Sequence, residues 1–210
     1  MGLGVDHAVI LDTEFLTNED SFRRMWNGPD DPDPVVVQIG AVRLALQGDF
    51  AIGASFSQLV CPVDRFGQPI GLHPAFTALT GIDAGAVAAQ GQPLAAALAA
   101  FDAFSEGAPI WSWGKDELNM IAISTWIAGL PPPIPAHRFG NACHLLLRAG
   151  VPLDTVKVLR SHSLCANFSL TPPAGRAHDA AHDARCVATV LRHLLVTGQL
   201  AADSLHNTAS

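Results

Sequence analysis

Two carboxylates stand two residues apart where an apolar run near the start of the chain ends. Residues 8–11 read Ala-Val-Ile-Leu and are followed by Asp12, Thr13 and Glu14. The run predicts a buried strand, in which positions i and i+2 point to the same face. Adjacent carboxylates repel each other unless a cation lies between them, and oxygen ligands suit Mg²⁺ or Mn²⁺. Taken alone, the pair is equally compatible with a solvated strand end.

A histidine and an aspartate lie five residues apart near the other end of the chain. His178 precedes a helix that the apolar pattern predicts over residues 179–195, and Asp183 lies one turn inside it. The two side chains can face a common point, and an imidazole with an unperturbed pKa of ~6.5 suits proton transfer. As an isolated segment, the stretch is also compatible with a polar first turn that Asp179 caps.

A third acidic position lies between these two segments. Asp116 comes three residues after a short apolar strand predicted over residues 108–113, at the start of a helix predicted over 116–127. An acid in a first turn favours the helix dipole, so Asp116 alone indicates only a helix start. Its neighbour Glu117 competes for any catalytic role. Lys115 is placed either to contact a phosphate or to lie on the surface.

Strands and helices that would position these residues follow one another along the chain. The β-branched runs at 35–46 and 51–60 predict a hairpin. Further elements are predicted as helices at 74–79, 93–104 and 141–148, a helix that Asp154 caps, and a strand at 136–139. The order of elements predicts one α/β domain with a mixed sheet over residues 1–200, followed by a flexible tail at 201–210.

The composition is that of a folded domain. Hydrophobic residues make up 49% of the chain and charged residues 15%, and the net charge of −7 argues against nonspecific wrapping of nucleic acid. Four cysteines without a C-x-x-C pair are typical of free thiols in the cytoplasm. No apolar run approaches the ~18 residues of a membrane span, so we expect a cytoplasmic protein. The oligomeric state stays open, and a homodimer is one option.

Together, and in this order, the acidic segments resemble the DEDDh 3′–5′ exonuclease superfamily, which is DnaQ-like. Residues 36–43 (VVQIGAVR) look like that family's second strand, and residues 56–62 followed by 79–82 (LTGI) look like its third strand and next helix. Residues 111–116 (WSWGKD) resemble the middle motif of its RNase T-like and Eri-like branches. The similarity covers about residues 8–195. It implies an α/β, RNase H-like fold with a mixed five-stranded sheet flanked by helices.

The resemblance also implies an activity. The protein would be a metal-dependent 3′–5′ exonuclease that hydrolyses terminal phosphodiester bonds of RNA or DNA and releases nucleoside 5′-monophosphates. Two divalent cations, Mg²⁺ or Mn²⁺, would be the cofactors, and His178 would be the general base. The implied metal ligands are Asp12, Glu14, Asp116 and Asp183. A sister branch has a tyrosine in place of this histidine, and the chain contains no tyrosine.

The implied partner is a nucleic acid with a free 3′ end, favoured as a single strand or a short oligonucleotide. Phe15 and Leu16 follow the metal-binding strand, where an apolar side chain would wedge against terminal bases, although Phe15 fits a core position equally well. Thr13 and Lys115 complete the expected substrate-binding set. Many relatives have Thr-Gly close behind the glutamate, whereas this chain has a long loop over residues 16–34 that contains Trp26.

Two other interpretations were weighed. The chain could be a catalytically inactive nucleic-acid-binding module of the same fold, although all five catalytic residue types are present. The segment with His178, His182 and Asp183 could instead belong to an HD-type phosphohydrolase. That family is all-helical, and the predicted strands oppose it.

Overall fold

A five-stranded mixed sheet forms the centre of the molecule. The computed structural model describes residues 5–114, 116–206 and 208. The strands are β1 His7–Phe15, β2 Val36–Ala45, β3 Ile52–Leu59, β4 Ile110–Ser112 and β5 Phe139–Asn141. Their order is β3-β2-β1-β4-β5; the first three are antiparallel, and β4 and β5 run parallel to β1. The predicted α/β class is confirmed, and an all-helical fold is excluded.

Helices connect the strands and cover both faces of the sheet. In the described part of the chain they are α1 Ser21–Arg24, α2 Pro74–Thr80, α3 Ala84–Gln90, α4 Leu94–Ser105, α5 Asp116–Ile127, α6 Ala142–Arg148, α7 Leu153–Val158, α8 Leu164–Asn167 and α9 Ala180–Val196. Short 3₁₀ helices span Ala136–Arg138, Ser161–Ser163 and Ala202–Leu205. None of the described helices is both long and apolar enough to cross a membrane.

The two faces of β1 enter two different hydrophobic clusters. Ala8 and Ile10 pack in a cluster that includes the buried side of α9. Val9 and Leu11 pack in a second cluster with residues of α4 and α5. Because side chains alternate along a strand, every even-numbered position of β1 faces α9. This alternation decides which way the acidic end of β1 points.

Several predicted boundaries shift, and each shift has a local cause. The strand predicted at 136–139 starts only at Phe139, because the preceding proline-rich segment leads into a 3₁₀ turn. Asp154 lies in the first turn of α7 and does not cap it, since Pro152 occupies the N-cap position. The unpredicted helix α3 begins where the Asp83 carboxylate accepts a hydrogen bond from the Ala86 amide.

The segment after α9 is partly ordered by contact with the core. Composition places residues 201–210 in a flexible tail, but Ala202–Leu205 form a 3₁₀ helix. The Leu205 side chain is buried, and the Leu205 carbonyl accepts a hydrogen bond of 3.0 Å from the Trp111 indole. A single buried leucine in a small, polar segment is too weak a signal to be read from the sequence.

Candidate active site

The acidic end of β1 points at the N-terminal end of α9. Asp12 and Glu14 share the face of β1 that carries Ala8 and Ile10, as the i, i+2 spacing predicts. Both carboxylates are buried, with 7% and 8% of their surface exposed. A buried carboxylate needs a compensating partner, so this pair is not an ordinary solvated strand end.

Two residues of β2 hold α9 against this strand end. In the antiparallel register, Gly40 lies opposite Asp12 and Gln38 lies opposite Glu14. A Cβ on Gly40 would collide with the backbone of Ala180 and Ala181, so the close approach of α9 requires glycine here. The Gln38 side-chain carbonyl accepts a 3.0 Å hydrogen bond from the Ala180 amide. β2 therefore provides the surface against which α9, the helix that carries Asp183, packs.

Asp183 completes a cluster of three carboxylates. The Asp179 side chain caps α9 by accepting a hydrogen bond from the His182 amide, which sets the first turn and brings Asp183 inward. One oxygen from each of Asp12, Glu14 and Asp183 lies within 4.8 Å of the others. The structure thus brings together three of the four expected metal ligands.

The third acidic position, at the start of α5, has two neighbouring acids in opposite environments. Asp116 is exposed on the rim of the cleft, whereas only 5% of Glu117 is exposed. Successive residues of a helix point about 100° apart, so only one of the two can face the sheet. Glu117 contributes the largest charge effect on the pKa of Asp12. Its burial beside Asp12 makes Glu117 the inward-facing acid of this segment.

Burial and neighbouring negative charges raise the pKa of all four inward-facing acids. Desolvation is the main cause throughout, and it raises the pKa of Glu14 and Glu117 to about 8 and that of Asp183 to about 7. The pKa of Asp12 is raised by desolvation and then by four acidic neighbours, Glu117, Glu14, Asp183 and Asp179. In the protein alone, burial therefore favours the protonated form of these groups, whereas a cation would favour their ionised form.

The donor set fits a hard divalent cation. Asp183 Oδ1 and Glu117 Oε2 are buried without a hydrogen-bond partner. None of the four acids forms an ion pair with another described residue. Carboxylate oxygens that lack both a proton donor and a counter-ion are the ligands that Mg²⁺ and Mn²⁺ prefer.

His178 lies beside this cluster in an unusual backbone conformation. Its φ of 61° is in the left-handed region, which costs energy for a residue other than glycine and is frequent at functional sites. Its amide is 3.3 Å from Asp183 Oδ2 and donates a hydrogen bond to it. Burial, followed by the neighbouring His162 and Arg176, lowers the pKa of the His178 imidazole. The ring is consequently neutral, and able to accept a proton, at neutral pH.

Arg176 anchors the loop that carries His178. Its guanidinium donates hydrogen bonds to the carbonyls of Ala78 and Leu79 at the end of α2. It lies directly over Gly81, where a side chain would displace it and where φ is 77°. The segment of residues 79–82 therefore contacts and anchors the loop before α9.

The acids form the floor of a cleft of about 330 Å³ with an aromatic wall. Phe15 and Trp26 have ring centroids 5.4 Å apart, and the exposed Phe22 meets Trp26 edge-on at 6.2 Å. The Trp26 indole donates a 3.0 Å hydrogen bond to the Leu16 carbonyl. Trp113 lines another part of the cleft. This wall is of a kind that can stack against flat rings.

The loop of residues 16–34 is organised around one carboxylate. Asp31 accepts hydrogen bonds from the Ser21 hydroxyl, the Arg24 guanidinium and the Gly28 amide. These bonds, that of Arg24 first, hold the pKa of Asp31 well below its usual range. The polar loop that departs from the family pattern is therefore built to present Phe22 and Trp26.

The expected substrate-binding residues fall into different environments. Phe15 and Thr13 line the cleft, although Thr13 is only 4% exposed. Leu16 is 1% exposed and packs in a third hydrophobic cluster with Val35 and Phe76. Leu16 lies just beyond the end of β1, where the strand period no longer fixes the direction of a side chain. Lys115 lies outside the described residues.

Sequence reasoning missed one cleft residue on the basic side, His162, whereas Arg160 was among the basic residues expected to contact the phosphate backbone. His162 lies in the short 3₁₀ helix before α8, and Arg160 precedes it; both line the cleft near His178. The ring centroids of His162 and His178 are 5.1 Å apart. No spacing rule links residues that meet only through tertiary folding, so no signal in the sequence identifies His162.

Comparisons with known proteins find structural similarity alone. No model of a known protein family and no curated protein sequence matches the chain. The nuclease domain of 3′hExo, a DEDDh family member bound to rAMP, superposes with a TM-score of 0.74 at 19% identity, covering 93% of this chain and 94% of that one. Cell-death related nuclease 4 (CRN-4) gives 0.70 at 19% identity, with 93% and 65% covered.

A more distant match is E. coli Exonuclease I in complex with a dA16 oligonucleotide. It gives a TM-score of 0.62 at 16% identity over 91% of this chain but 41% of that one. The chain likewise spans 62% of a full-length 3′-exonuclease. These superpositions cover 91–93% of this chain, and the protein therefore has the RNase H-like fold of these exonucleases.

Proposed function

We propose that this protein is a metal-dependent 3′–5′ exonuclease of the DEDDh superfamily. The observation that carries the proposal is the set of four buried, unpaired carboxylates that lies beside a histidine in an aromatic-walled cleft. Phosphodiester hydrolysis needs cations at the phosphate, a base for water and a surface for the base rings. The cleft offers residues for each requirement.

Asp12, Glu14, Asp183 and Glu117 would hold the cations, two Mg²⁺ or Mn²⁺ ions. We assign the third acidic position to Glu117, because it is buried beside Asp12, whereas Asp116 is exposed. When bound, the cations supply Lewis-acid polarisation of the phosphate and a lower pKa for water. The carboxylates position the ions, and the surrounding apolar residues exclude bulk solvent.

His178 would accept the proton of the attacking water. A bond forms between the water oxygen and phosphorus, the bond to the 3′ oxygen breaks, and a nucleoside 5′-monophosphate leaves. The lowered pKa of His178 keeps its ring free to take the proton. The left-handed backbone and the amide hydrogen bond to Asp183 hold the ring at the cluster.

The aromatic wall would bind the terminal nucleotides. Stacking on an aromatic ring contributes ~1–3 kcal/mol per base and tolerates any base, so the wall favours single strands or short oligonucleotides. Arg160 lies at the rim, where a phosphate of the chain would pass. One of the matched structures is bound to rAMP and another is in complex with a dA16 oligonucleotide, so both RNA and DNA are tested as substrates.

The test compares the wild-type protein with Asp12→Asn on matched RNA and DNA oligonucleotides in Mg²⁺ or Mn²⁺. Cation stabilisation of the transition state is worth several kcal/mol, so Asp12→Asn should lower the rate at least about a hundredfold. Asp49→Asn, in the exposed β2–β3 turn, is the control and should retain the rate. Equal inactivity of the wild type and Asp12→Asn on both polymers would contradict the proposal and favour a binding module.

A further inference from the structure

We propose that His162, His178 and Asp183 form a distinct zinc site at the edge of the cleft. One potential ligand atom from each of the three lies within 4.8 Å of the others. Asp183 is 2% exposed, and its Oδ1 is buried without a hydrogen-bond partner. The geometry therefore gathers two imidazoles and a buried carboxylate at one point.

This ligand set selects a different ion from the carboxylate cluster. Neutral imidazole nitrogen suits Zn²⁺ and the neighbouring transition metals, whereas Mg²⁺ prefers an all-oxygen shell. Two histidines and one carboxylate, with one position left open, are a ligand number and type that zinc accepts. The carboxylates of Asp12 and Glu14 lie close behind Asp183, so the local field also favours a cation.

Tertiary packing brings His162 to the site independently of the loop that holds His178. The residues after it, Leu164 and Cys165, are buried in the hydrophobic cluster of α9. Cys165 Sγ also lies 3.7 Å from the Cys186 carbonyl, inside α9. The turn that carries His162 is thus fixed to the same helix that carries Asp183, and two of the three ligands are held by one packed unit.

Occupation of this site would oppose the proposed reaction. Asp183 is shared with the carboxylate cluster, and a zinc-bound His178 has no free lone pair for the attacking water. Zn²⁺ should therefore inhibit Mg²⁺-dependent hydrolysis. This consequence rests on the proposed function, whereas binding of zinc does not.

The binding test uses the metal-free protein and Zn²⁺ alone, without nucleic acid. Calorimetric titration or competition with a chromophoric chelator gives the Kd. Loss of a partner that merely orients a ligand costs about 10–100-fold in affinity, so His162→Gln, which removes a ligand, should weaken binding at least about tenfold. His137→Gln, which alters an exposed histidine elsewhere, should leave the Kd unchanged. Equal affinity of the wild type and His162→Gln would overturn the proposal.

X-ray absorption at the zinc edge tests the wild-type protein without any substitution. We expect two imidazoles and oxygen ligands around the ion. A sulfur ligand would place the ion at His182, Asp183 and Cys186, which also gather their ligand atoms within 4.8 Å. A shell with fewer than two imidazoles would place it at the carboxylates. Either result would overturn the proposal, and neither depends on nuclease activity.

Discussion

The four inward-facing acids all have a raised pKa, and burial is the first cause in each case. The other three acids, together with Asp179, also raise the pKa of Asp12. Four carboxylates would not stay ionised together in a protein interior without a cation, because the cost of burying a charge exceeds any gain from packing. A bound divalent metal ion would compensate these negative charges, which is why we propose the cluster as a metal site.

Substitution of single residues can test whether Glu117 or Asp116 is the metal ligand. Glu117→Gln should lower metal-dependent hydrolysis at least about a hundredfold, because it removes a ligand charge beside Asp12. Asp116→Asn, at the exposed neighbouring position, should change the rate less than about tenfold. The measurement is kcat at saturating Mg²⁺ for both variants. A larger loss in Asp116→Asn would return the role to that residue.

Sequence spacing predicted some of these residues and not others, for a physical reason. Asp12, Glu14, His178 and Asp183 lie in regular elements, where the period of a strand or helix fixes the direction of each side chain. At the start of α5 the phase depends on how the helix docks, so the sequence left Glu117 and Asp116 open. Leu16 was expected against the substrate, but it follows the end of β1 and is buried in the cluster that contains Val35 and Phe76.

At the scale of elements, the central feature is the surface of β2 against which α9 packs. Gly40 allows the helix to approach, and Gln38 caps its first turn. The alternating apolar pattern predicted the strands and helices well, because burial of one face specifies them. The boundaries around residues 136–139 and 152–154 differ because prolines override the pattern.

Gly40→Ala tests whether the close packing of α9 on β2 requires glycine at this position. The added methyl would meet the backbone of Ala180 and Ala181, which cannot move without displacing α9, so we expect a loss of ~1–3 kcal/mol in unfolding free energy. Asp183 would move with the helix, and hydrolysis should fall as well. Gly53→Ala is the matched control on β3, where the only close atom is 3.9 Å away. Urea denaturation of both variants measures the difference in unfolding free energy. Equal stability of the two variants would contradict this role of Gly40.

The loop of residues 16–34 is the other element with a distinct task. Asp31→Asn removes the charge that holds Ser21, Arg24 and Gly28, so the loop should lose its fixed arrangement. Because the loop carries Phe22 and Trp26 but none of the acids, KM for oligonucleotides should rise while kcat changes little. Steady-state kinetics separate the two constants. Asp30→Asn, an exposed neighbour in the same loop, is the control. A fall in kcat with unchanged KM would contradict this role.

At the scale of the whole molecule, the site should make stability depend on pH. The folded-state pKa of Glu14 and Glu117 is raised to about 8 and that of Asp183 to about 7. Between those values and the ordinary value near ~4, the native state binds more protons than the unfolded chain, so its stability falls as pH rises. The lowered pKa of His178 acts in the opposite direction below its ordinary value.

We therefore expect the Tm of the metal-free protein to fall between about pH 5 and about pH 8. Each group protonated only in the native state contributes ~1.4 kcal/mol per pH unit, and each kcal/mol shifts Tm by ~2–4 °C in a chain of this size. Mg²⁺ or Mn²⁺ binds the ionised carboxylates, so it should raise Tm more at the higher pH. Calorimetry with and without metal checks both trends. Asp12→Asn should flatten them; a Tm that rises with pH in the metal-free wild type would contradict the account.

The central claim is that the protein removes nucleotides from a 3′ end, and the pattern of cleavage tests it most directly. The measurement follows 5′-labelled single-stranded RNA and DNA in Mg²⁺, with Asp12→Asn as the inactive reference. From the proposed activity we expect a ladder that shortens from the 3′ end, together with release of nucleoside 5′-monophosphates. Internal cuts without a ladder, shortening from the 5′ end, or no hydrolysis beyond that of Asp12→Asn would contradict it.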